Sequence, residues 1–359
     1  MTAYDGILLS SFGGPEGQAD VIPFLRNVTR GRGIPDERLE EVATHYRHFG
    51  GVSPINAQNR ALKSAIEGEL ARRGIDLPVY WGNRNWAPYF TDALSQAHEA
   101  GDNRLLGLVT SAYTSYSGVG QYREDFEKAL ADTGLASTMT IDRIREFFDH
   151  PGFVGPLVDG VRTAIQRMTA DAAGSDSAKP VAVDRVHVLF VTHSIPTAAA
   201  DESGPQFGPG GAYVAQHRAV AEYISSQAAP GVPFSLVYQS RSGNPRTPWL
   251  EPDINDAIDD LAAAGATDAV IIVPFGFVSD HMEVLWDLDN EATQTAASHG
   301  IRSERVPTPG VHPAFVCGIV DLIEERLNDV PVAVRPHVTD LGPWPDHHSV
   351  GADSGVLAR

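Results

Sequence analysis

The sequence predicts a two-domain α/β protein built on parallel, doubly wound sheets. Its 359 residues are about twice the length of a typical single domain, which favours two domains. Short apolar runs rich in β-branched residues alternate with longer helical stretches, as is typical of doubly wound folds. The best runs are apolar on both faces, so we expect them to be central strands of parallel sheets.

Eight runs are predicted as strands, and helical patterns fill the stretches between them. The strands are expected at residues 6–11, 78–82, 105–111, 186–192, 234–239 and 269–274, with weaker candidates near 138–141 and 301–306. The helices are expected at residues 36–46, 57–73, 89–100, 125–133, 152–173, 210–229, 254–264 and 314–328.

The two halves of the chain share a pattern. Residues 100–109 can be laid over residues 264–273: in both, a helix ends near a glycine, a buried strand follows, and a polar loop comes next. Each half would then hold about four strands. We place the first domain at residues 1–150 and the second at 151–330. The remaining tail, 331–359, has no periodic apolar pattern and is expected to be poorly ordered.

Composition excludes several classes of function. The 46 acidic and 27 basic side chains give a net charge of −19, which repels nucleic acid. This acidity either attracts a cation or only keeps the protein in solution. The single cysteine, Cys317, cannot form an intrachain disulfide or a four-thiolate cluster, and it fits a reducing compartment. With no signal-peptide pattern and no long apolar run, we expect a cytoplasmic protein that is not integral to a membrane.

The strongest chemical signal is the segment 274–291, which follows the most apolar predicted strand. It should lie at the carboxyl end of that strand, where ligands bind in open α/β sheets. In the helix expected there, Glu283, Asp287 and Glu291 are four residues apart and share one face. Like charges at this spacing destabilise a helix, and residues 247–301 contain no Lys or Arg. The row is either a solvated face or a cation site, and its place at the sheet edge favours the cation site.

A histidine stands at the end of another apolar run. His193 follows residues 186–192 and precedes a turn fixed by Pro196, so it should lie at the mouth of a sheet. Alone, it is as well explained by a structural hydrogen bond as by a ligand or a base. Beside the carboxylate row it becomes a candidate for chemistry, because imidazole and carboxylate suit Fe²⁺ or Zn²⁺. Imidazole also transfers protons near neutral pH.

Polar clusters in the first half indicate a second part of the site. Gly13-Gly14 follows the first strand but lacks the spacing of a dinucleotide or P-loop motif, so a nucleotide is not expected. The Arg, Tyr and Ser residues within 30–32 and 45–56 would suit an aromatic ligand that bears carboxylates. Residues 111–123 contain three tyrosines and occupy the place in the first half that 274–291 occupies in the second half. They are either part of the site or only a flexible polar loop.

These residues resemble the ferrochelatase family, and the likeness runs from Leu8 to about Leu327. The segment 276–291 and the turn 192–194 carry it. The resemblance implies two Rossmann-like domains, each with a parallel four-stranded sheet, a porphyrin cleft between them, and insertion of Fe²⁺ as the reaction.

The resemblance also implies roles for individual residues. His193 and Glu283 would be the catalytic pair that contacts the metal, facing each other across a cavity wide enough for a flat tetrapyrrole. Asp287 and Glu291 would continue the metal site as an acidic path behind Glu283. Phe12 stands where several relatives carry a tyrosine, so metal ligation from that side is not expected. The porphyrin-binding residues would be Ser53, Tyr122, Tyr46, Arg30, Arg32 and Phe12.

Likeness to actinobacterial members at residues 83–89 and 113–122 implies coproporphyrin III as the substrate. The alternatives are protoporphyrin IX, another tetrapyrrole and metal, or a haem or porphyrin carrier without catalysis. Many actinobacterial members hold a [2Fe–2S] cluster, which one cysteine cannot support, so no bound cofactor is predicted and Fe²⁺ is a substrate. The oligomeric state is not readable from these residues, and we expect a monomer.

Overall fold

A computed structural model describes residues 4–31, 33–170, 179–242, 246–347 and 349–352. Two sheets form the frame of the protein. Their strands are β1 Gly6–Ser11, β2 Val79–Asn83, β3 Arg104–Val109, β4 Thr140–Arg143, β5 Val186–His193, β6 Phe234–Gln239, β7 Ala269–Val273, β8 Arg302–Arg305 and β9 Val350–Gly351.

Helices cover both faces of the two sheets. Within the described residues, none of them is both long enough and apolar enough to cross a lipid bilayer. The α-helices are α1 Val21–Val28, α2 Asp36–His48, α3 Ile55–Arg72, α4 Phe90–Ala100, α5 Gln121–Thr133, α6 Pro151–Thr169, α7 Thr197–Glu202, α8 Gly211–Ala228, α9 Ile254–Ala264, α10 Thr293–Ser298 and α11 Pro313–Leu327, and the π-helical segments are Tyr116–Gly120 and Val284–Ala292.

The two sheets repeat one topology, which confirms the predicted α/β class. The first sheet has the order β2-β1-β3-β4-β9 and the second has β6-β5-β7-β8, so the first four strands of each follow the same order. These strands pair in parallel throughout. The segments that looked alike in the sequence end in β3 and β7, which hold the same place in their sheets. The domain limits at residues 150 and 330 stay predictions.

The tail departs from the prediction, because part of it is folded onto the first sheet. β9 pairs antiparallel with β4 and makes this sheet five-stranded rather than four-stranded. Val350 is 4% exposed, and the buried Arg335 donates to Asp346 over 2.8 and 2.7 Å. Val338, Leu341 and Trp344 also pack against the core, but they are isolated apolar residues without a helix or strand period, so periodicity could not reveal the segment. Residues 353–359 lie outside the described part of the chain.

The strands alternate their side chains between two buried faces, as expected for covered parallel sheets. Ile7 and Leu9 of β1 belong to the same apolar cluster as Phe190 of β5. Leu8 packs in a separate cluster on the other face of the first sheet, and Leu189 in a third cluster on the other face of the second sheet. The two sheets therefore share one core, and the loops at their carboxyl ends are left free to form a site.

A buried ion pair fastens α11 to the loop after β4. The Arg145 side chain is 0% exposed, and it donates from Nε to Glu325 Oε2 over 2.9 Å and from Nη2 to Glu325 Oε1 over 3.1 Å. Asp149 lies 3.5 Å from Arg145 Nη1. This paired geometry offsets the cost of burying the charges, which would otherwise be large.

Replacing Arg145 with Met is expected to lower the free energy of unfolding by about 3 kcal/mol, because the Glu325 carboxylate stays buried without its main partner. Arg335 remains near it, with Nε 3.7 Å from Glu325 Oε2, so we expect a loss at the lower end of the usual range. Urea unfolding followed by circular dichroism measures the change. Arg162→Met removes the exposed pair with Asp159 and should cost less than about 1 kcal/mol. Equal losses for the two variants would contradict the prediction.

Candidate functional site

A cavity of about 580 Å³ opens where the carboxyl ends of the two sheets meet. Its walls come from the segments after β1 and β3 in the first half and after β5 and β7 in the second half. The size and the mixed polar and apolar lining are those of a small-molecule site. Of the residues predicted from the sequence, those that line it are Phe12, Tyr46, Ser53, Tyr122, His193, Glu283 and Asp287.

The His193 imidazole and the Glu283 carboxylate touch each other. His193 is the last residue of β5, and its Nε2 lies 3.3 Å from Glu283 Oε2. Its Nδ1 lies 2.5 Å from the carbonyl oxygen of Ser194, which can only accept, so Nδ1 carries a proton and donates it. That bond fixes the ring orientation and turns Nε2 toward the carboxylate and the cavity.

This contact corrects one part of the sequence-based expectation. His193 and Glu283 do not face each other across the cavity, because a gap of 3.3 Å cannot admit a flat ring. Both groups lie on one wall and would address the same face of a bound macrocycle. Phe12, at the end of β1, lines the cavity from the other sheet.

The contact between His193 and Glu283 favours their charged forms. Burial favours their uncharged forms, but the hydrogen bond and the opposite charge of the partner outweigh it. As a result the pKa of Glu283 falls to about 2 and the pKa of His193 rises above its ordinary value. The side chains remain 35% and 49% exposed, so both stay accessible from the cavity.

The helix after β7 is not the plain α-helix that the spacing of carboxylates suggested. Residues Val284–Ala292 form a π-helical segment that continues into α10, and Thr293 Oγ1 donates to the Leu288 carbonyl over 3.0 Å. π-Helical turns are rare and are found frequently at functional sites. Hydrophobic periodicity does not distinguish such a turn from an α-helix, so the sequence could not show it.

The carboxylate row is divided between the cavity and the surface. Asp287 lines the cavity, where it accepts hydrogen bonds from Ser240 Oγ and, over 3.3 Å, from Gln239 Nε2. Burial, followed by the negative charge of Glu283, raises the pKa of Asp287 to about 7. Glu291 is exposed and accepts from Trp286 Nε1 over 2.7 Å.

The arginine at the end of β8 pairs with other carboxylates and not with the row. Arg305, on β8, bonds Asp280 over 3.1 Å and Asp289 over 2.5 Å. Among the described residues, no Lys or Arg pairs with Glu283, Asp287 or Glu291. That part of the chain also holds no group of three or more His, Cys, Asp or Glu side chains arranged to bind a metal ion. The site therefore offers a metal one imidazole–carboxylate pair.

The porphyrin-binding residues predicted from the sequence are only partly brought together. Ser53 and Tyr122 are buried in the cavity wall, and Tyr46, which also lines the cavity, has its pKa raised by burial and by Glu283. Arg30 instead lines a neighbouring hollow of about 290 Å³ and donates to Asn27 Oδ1 over 2.6 Å. Arg32 lies outside the described residues.

Sequence reasoning missed three side chains that shape the cavity. The Arg84 guanidinium lies 3.9 Å from the centre of the Tyr122 ring, and Arg84 directly follows β2, the same signal that drew attention to His193. His45 of α2 stacks on Trp286 of the π-helical segment, with ring centres 4.0 Å apart and planes 7° apart. That second contact joins distant parts of the chain and leaves no local signal.

Replacing Asp287 with Asn is expected to stabilise the metal-free protein at pH 8 but not near pH 4. The pKa of Asp287 is about 7 in the folded protein and has an ordinary value of 3.8. Between these values the folded protein holds a proton that the unfolded chain has lost, so the wild type loses stability as the pH rises. Thermal unfolding with a chelator present measures the difference. Glu291→Gln, at an exposed position, is the control, and a pH-independent effect of Asp287→Asn would contradict the prediction.

Comparison with solved structures shows the fold. The chain is similar to SirB from Bacillus subtilis with Fe³⁺, with a TM-score of 0.53, 10% identity, and coverage of 94% of this chain and 100% of that one. It is also similar to the sirohydrochlorin chelatase SirB from B. subtilis subspecies spizizenii in complex with cobalt, with a TM-score of 0.50, 9% identity and the same coverage.

Comparison with sequences shows the family. The family description "Ferrochelatase" matches residues 4–327. The coproporphyrin III ferrochelatase of Leifsonia xyli subsp. xyli is 60% identical over 353 residues, which cover 96% of this chain and 89% of that protein. The enzyme of the same name from Tropheryma whipplei is 53% identical, covering 96% and 87%, and the ferrochelatase of Rhodopirellula baltica is 46% identical, covering 96% and 91%. The chain belongs to the ferrochelatase family.

Proposed function

We propose that this protein inserts Fe²⁺ into coproporphyrin III in haem biosynthesis, with loss of the two pyrrole protons. The observation that carries the proposal is the His193–Glu283 pair, held at 3.3 Å on the wall of a cavity of about 580 Å³. An imidazole and a carboxylate suit a borderline divalent ion and can also move protons. Family membership, and the name of the relatives from L. xyli and T. whipplei, support this reaction and this substrate.

His193 and Glu283 are the proposed catalytic residues. The raised pKa of His193 favours a protonated imidazole in the metal-free protein, so the imidazole can take a pyrrole proton or a metal ion only after it has lost its own proton. Asp287 lies four residues beyond Glu283, and a pKa of about 7 lets it exchange a proton near neutral pH. Which of the two catalytic groups takes the pyrrole proton stays open.

Asp287 and Glu291 are proposed to guide Fe²⁺ to the pair. Glu291 is exposed and Asp287 lines the cavity, so the two carboxylates lead from solvent toward Glu283. The iron is a substrate in this scheme. With one cysteine in the chain, four thiolates are not available, and the proposal includes no [2Fe–2S] cluster. The cytoplasmic location and the monomeric state also stay predictions.

The macrocycle is proposed to lie over apolar side chains with its carboxylates at polar ends of the cavity. Phe12, Leu39 and Val42 are among the apolar lining residues, while Ser53 and Tyr122 offer hydroxyl groups. A rigid cavity that binds a puckered ring better than a flat one would expose the nitrogen lone pairs and lower the barrier to insertion.

Replacing His193 with Ala, or Glu283 with Gln, should nearly abolish iron insertion and change porphyrin affinity only a few-fold. The reason is that both groups act on the metal and the pyrrole protons rather than on the ring periphery. Loss of free-porphyrin fluorescence after anaerobic addition of Fe²⁺ measures turnover. His299→Ala, at an exposed ion pair with Asp259, is the control. More than half of wild-type turnover in either variant would refute the assignment, and wild-type binding without turnover would indicate a carrier.

Ser53→Ala and Tyr122→Phe should weaken porphyrin binding more than they slow turnover of bound substrate, because each removes a hydroxyl that can bind a propionate. The wild type should bind coproporphyrin III, with four propionates, more tightly than protoporphyrin IX, with two. Fluorescence titration in the absence of iron measures both affinities. Equal binding of the two porphyrins would contradict the substrate preference but not the insertion reaction.

A further inference from the structure

Arg143 is a buried arginine without a close counterion. It is the last residue of β4 and is 4% exposed. Its Nη1 donates to the Val119 carbonyl over 2.9 Å and its Nη2 to the Gly118 carbonyl over 3.2 Å, while its Nε has no hydrogen-bond partner. Across the described residues, no carboxylate lies within ion-pairing distance of it. A buried guanidinium in this state is costly unless an anion comes near.

Glu146 lies near Arg143 but is not its ion-pair partner. It is close enough to influence Arg143 but makes no ion pair with it, and its Oε1 is 2.7 Å from His347 Nε2. Burial lowers the pKa of Arg143, as expected for a cation without a close partner, but a guanidinium remains charged. The positive charge of Arg143 therefore attracts an anion bound next to the turn whose carbonyl groups accept hydrogen bonds from Arg143.

The second sheet shows how a matching arginine is neutralised. Arg305 is the last residue of β8, the fourth strand of its sheet, as β4 is the fourth strand of the other. Arg305 bonds Asp280 and Asp289, which come from the segment after β7. The segment after β3 gives Arg143 only main-chain carbonyls of the turn Tyr116–Gly120. The second half therefore provides carboxylates for its arginine, whereas the first half provides only carbonyl groups for Arg143.

The turn Tyr116–Gly120 separates Arg143 from the cavity. Ser115, Ser117 and Tyr122, in and beside this turn, all line the cavity. Their hydroxyl groups can donate hydrogen bonds to a carboxylate. A carboxylate bound there would lie against the turn whose other side is held by Arg143, so it would supply the missing negative charge.

Arg84 supports the same turn but does not carry a free charge. It donates to the Ser117 carbonyl over 3.2 Å and lies against the Tyr122 ring, while its Nε pairs with the Asp125 carboxylate. Because Asp125 neutralises Arg84, Arg143 is the arginine at this end of the cavity that lacks a close anion.

We propose that Arg143 is a positioning residue that draws one carboxylate of the substrate to the hydroxyl groups of Ser115, Ser117 and Tyr122. The inference rests on the proposed function and adds an orientation to it. Carboxylates of the ring lie at the wall of the first half, and the metal ion approaches from the wall that carries Glu283.

The test is iron-free binding of coproporphyrin III and of its uncharged tetramethyl ester, followed by porphyrin fluorescence. Arg143→Met should weaken binding of the acid about tenfold and binding of the ester less than about twofold, since only the acid is drawn by the charge. Arg143→Lys keeps the charge but not the planar fork that bonds two carbonyls, and it should stay within about threefold of wild type. In turnover assays Arg143→Met should act mainly on KM.

Arg104→Met is the matched control. Arg104 is the first residue of β3, so it lies at the amino-terminal end of a strand in the same sheet, and it pairs with Asp142. The variant should leave the preference for acid over ester unchanged. Equal losses for acid and ester in Arg143→Met would overturn the proposal, since they would indicate a structural role alone. So would equal losses in the Met and Lys variants. If circular dichroism shows that the Met variant does not fold, Arg143→Gln takes its place, because it keeps an N–H donor for the turn carbonyls but not the charge: it should weaken binding of the acid more than of the ester, and equal losses would overturn the proposal.

Failure of this inference can be told apart from failure of the proposed function. A wild-type protein that inserts iron but binds acid and ester equally would overturn the role of Arg143 and leave iron insertion standing. A wild-type protein that prefers the acid but inserts no iron would refute the proposed function, and the variants would still test Arg143 by binding alone.

Discussion

The contact between the His193 imidazole and the Glu283 carboxylate is the interaction on which the site depends. It holds at 3.3 Å because β5 and the segment after β7 end at the same edge of one parallel sheet. The hydrogen bond and the opposite charges outweigh the desolvation that would favour the neutral forms, so the contact favours a protonated imidazole beside an ionised carboxylate. In the proposed reaction, a metal ion bound by both groups would have to displace the imidazole proton.

The two halves of the cavity differ in charge although they share a topology. The strand ends of the second half present Glu283 and Asp287, and among the described residues neither pairs with a Lys or Arg, because Arg305 is occupied by Asp280 and Asp289. The segments after the strands of the first half present hydroxyl groups, and arginines donate hydrogen bonds to the main chain of the same segments. In the proposed reaction, the carboxylates of the anionic ring would bind at the wall of the first half and the divalent cation at the wall of the second half.

The π-helical segments are a second shared feature of the two halves. Tyr116–Gly120 follows β3 and Val284–Ala292 follows β7, at equivalent places in the repeated topology. A π-helical turn bonds residue i to i+5, so its side chains are spaced differently around the axis from those of an α-helix. In the second half it accompanies the division of the carboxylate row, with Asp287 inside the cavity and Glu291 at the surface.

The sequence by itself determined the α/β class, the positions of eight strands, and the two residues that form the central pair. These follow from local rules: buried parallel strands are apolar on both faces, and polar residues just after them lie at the ligand-binding edge. The same rule would have pointed to Arg84, which directly follows β2. The sequence did not determine that His193 and Glu283 touch rather than face each other, that β9 closes the first sheet, or that Arg30 lies outside the cavity. Only the tertiary structure decided these points, because distances between side chains from different strands depend on how the loops and the π-helical turns pack, and no local pattern encodes that packing.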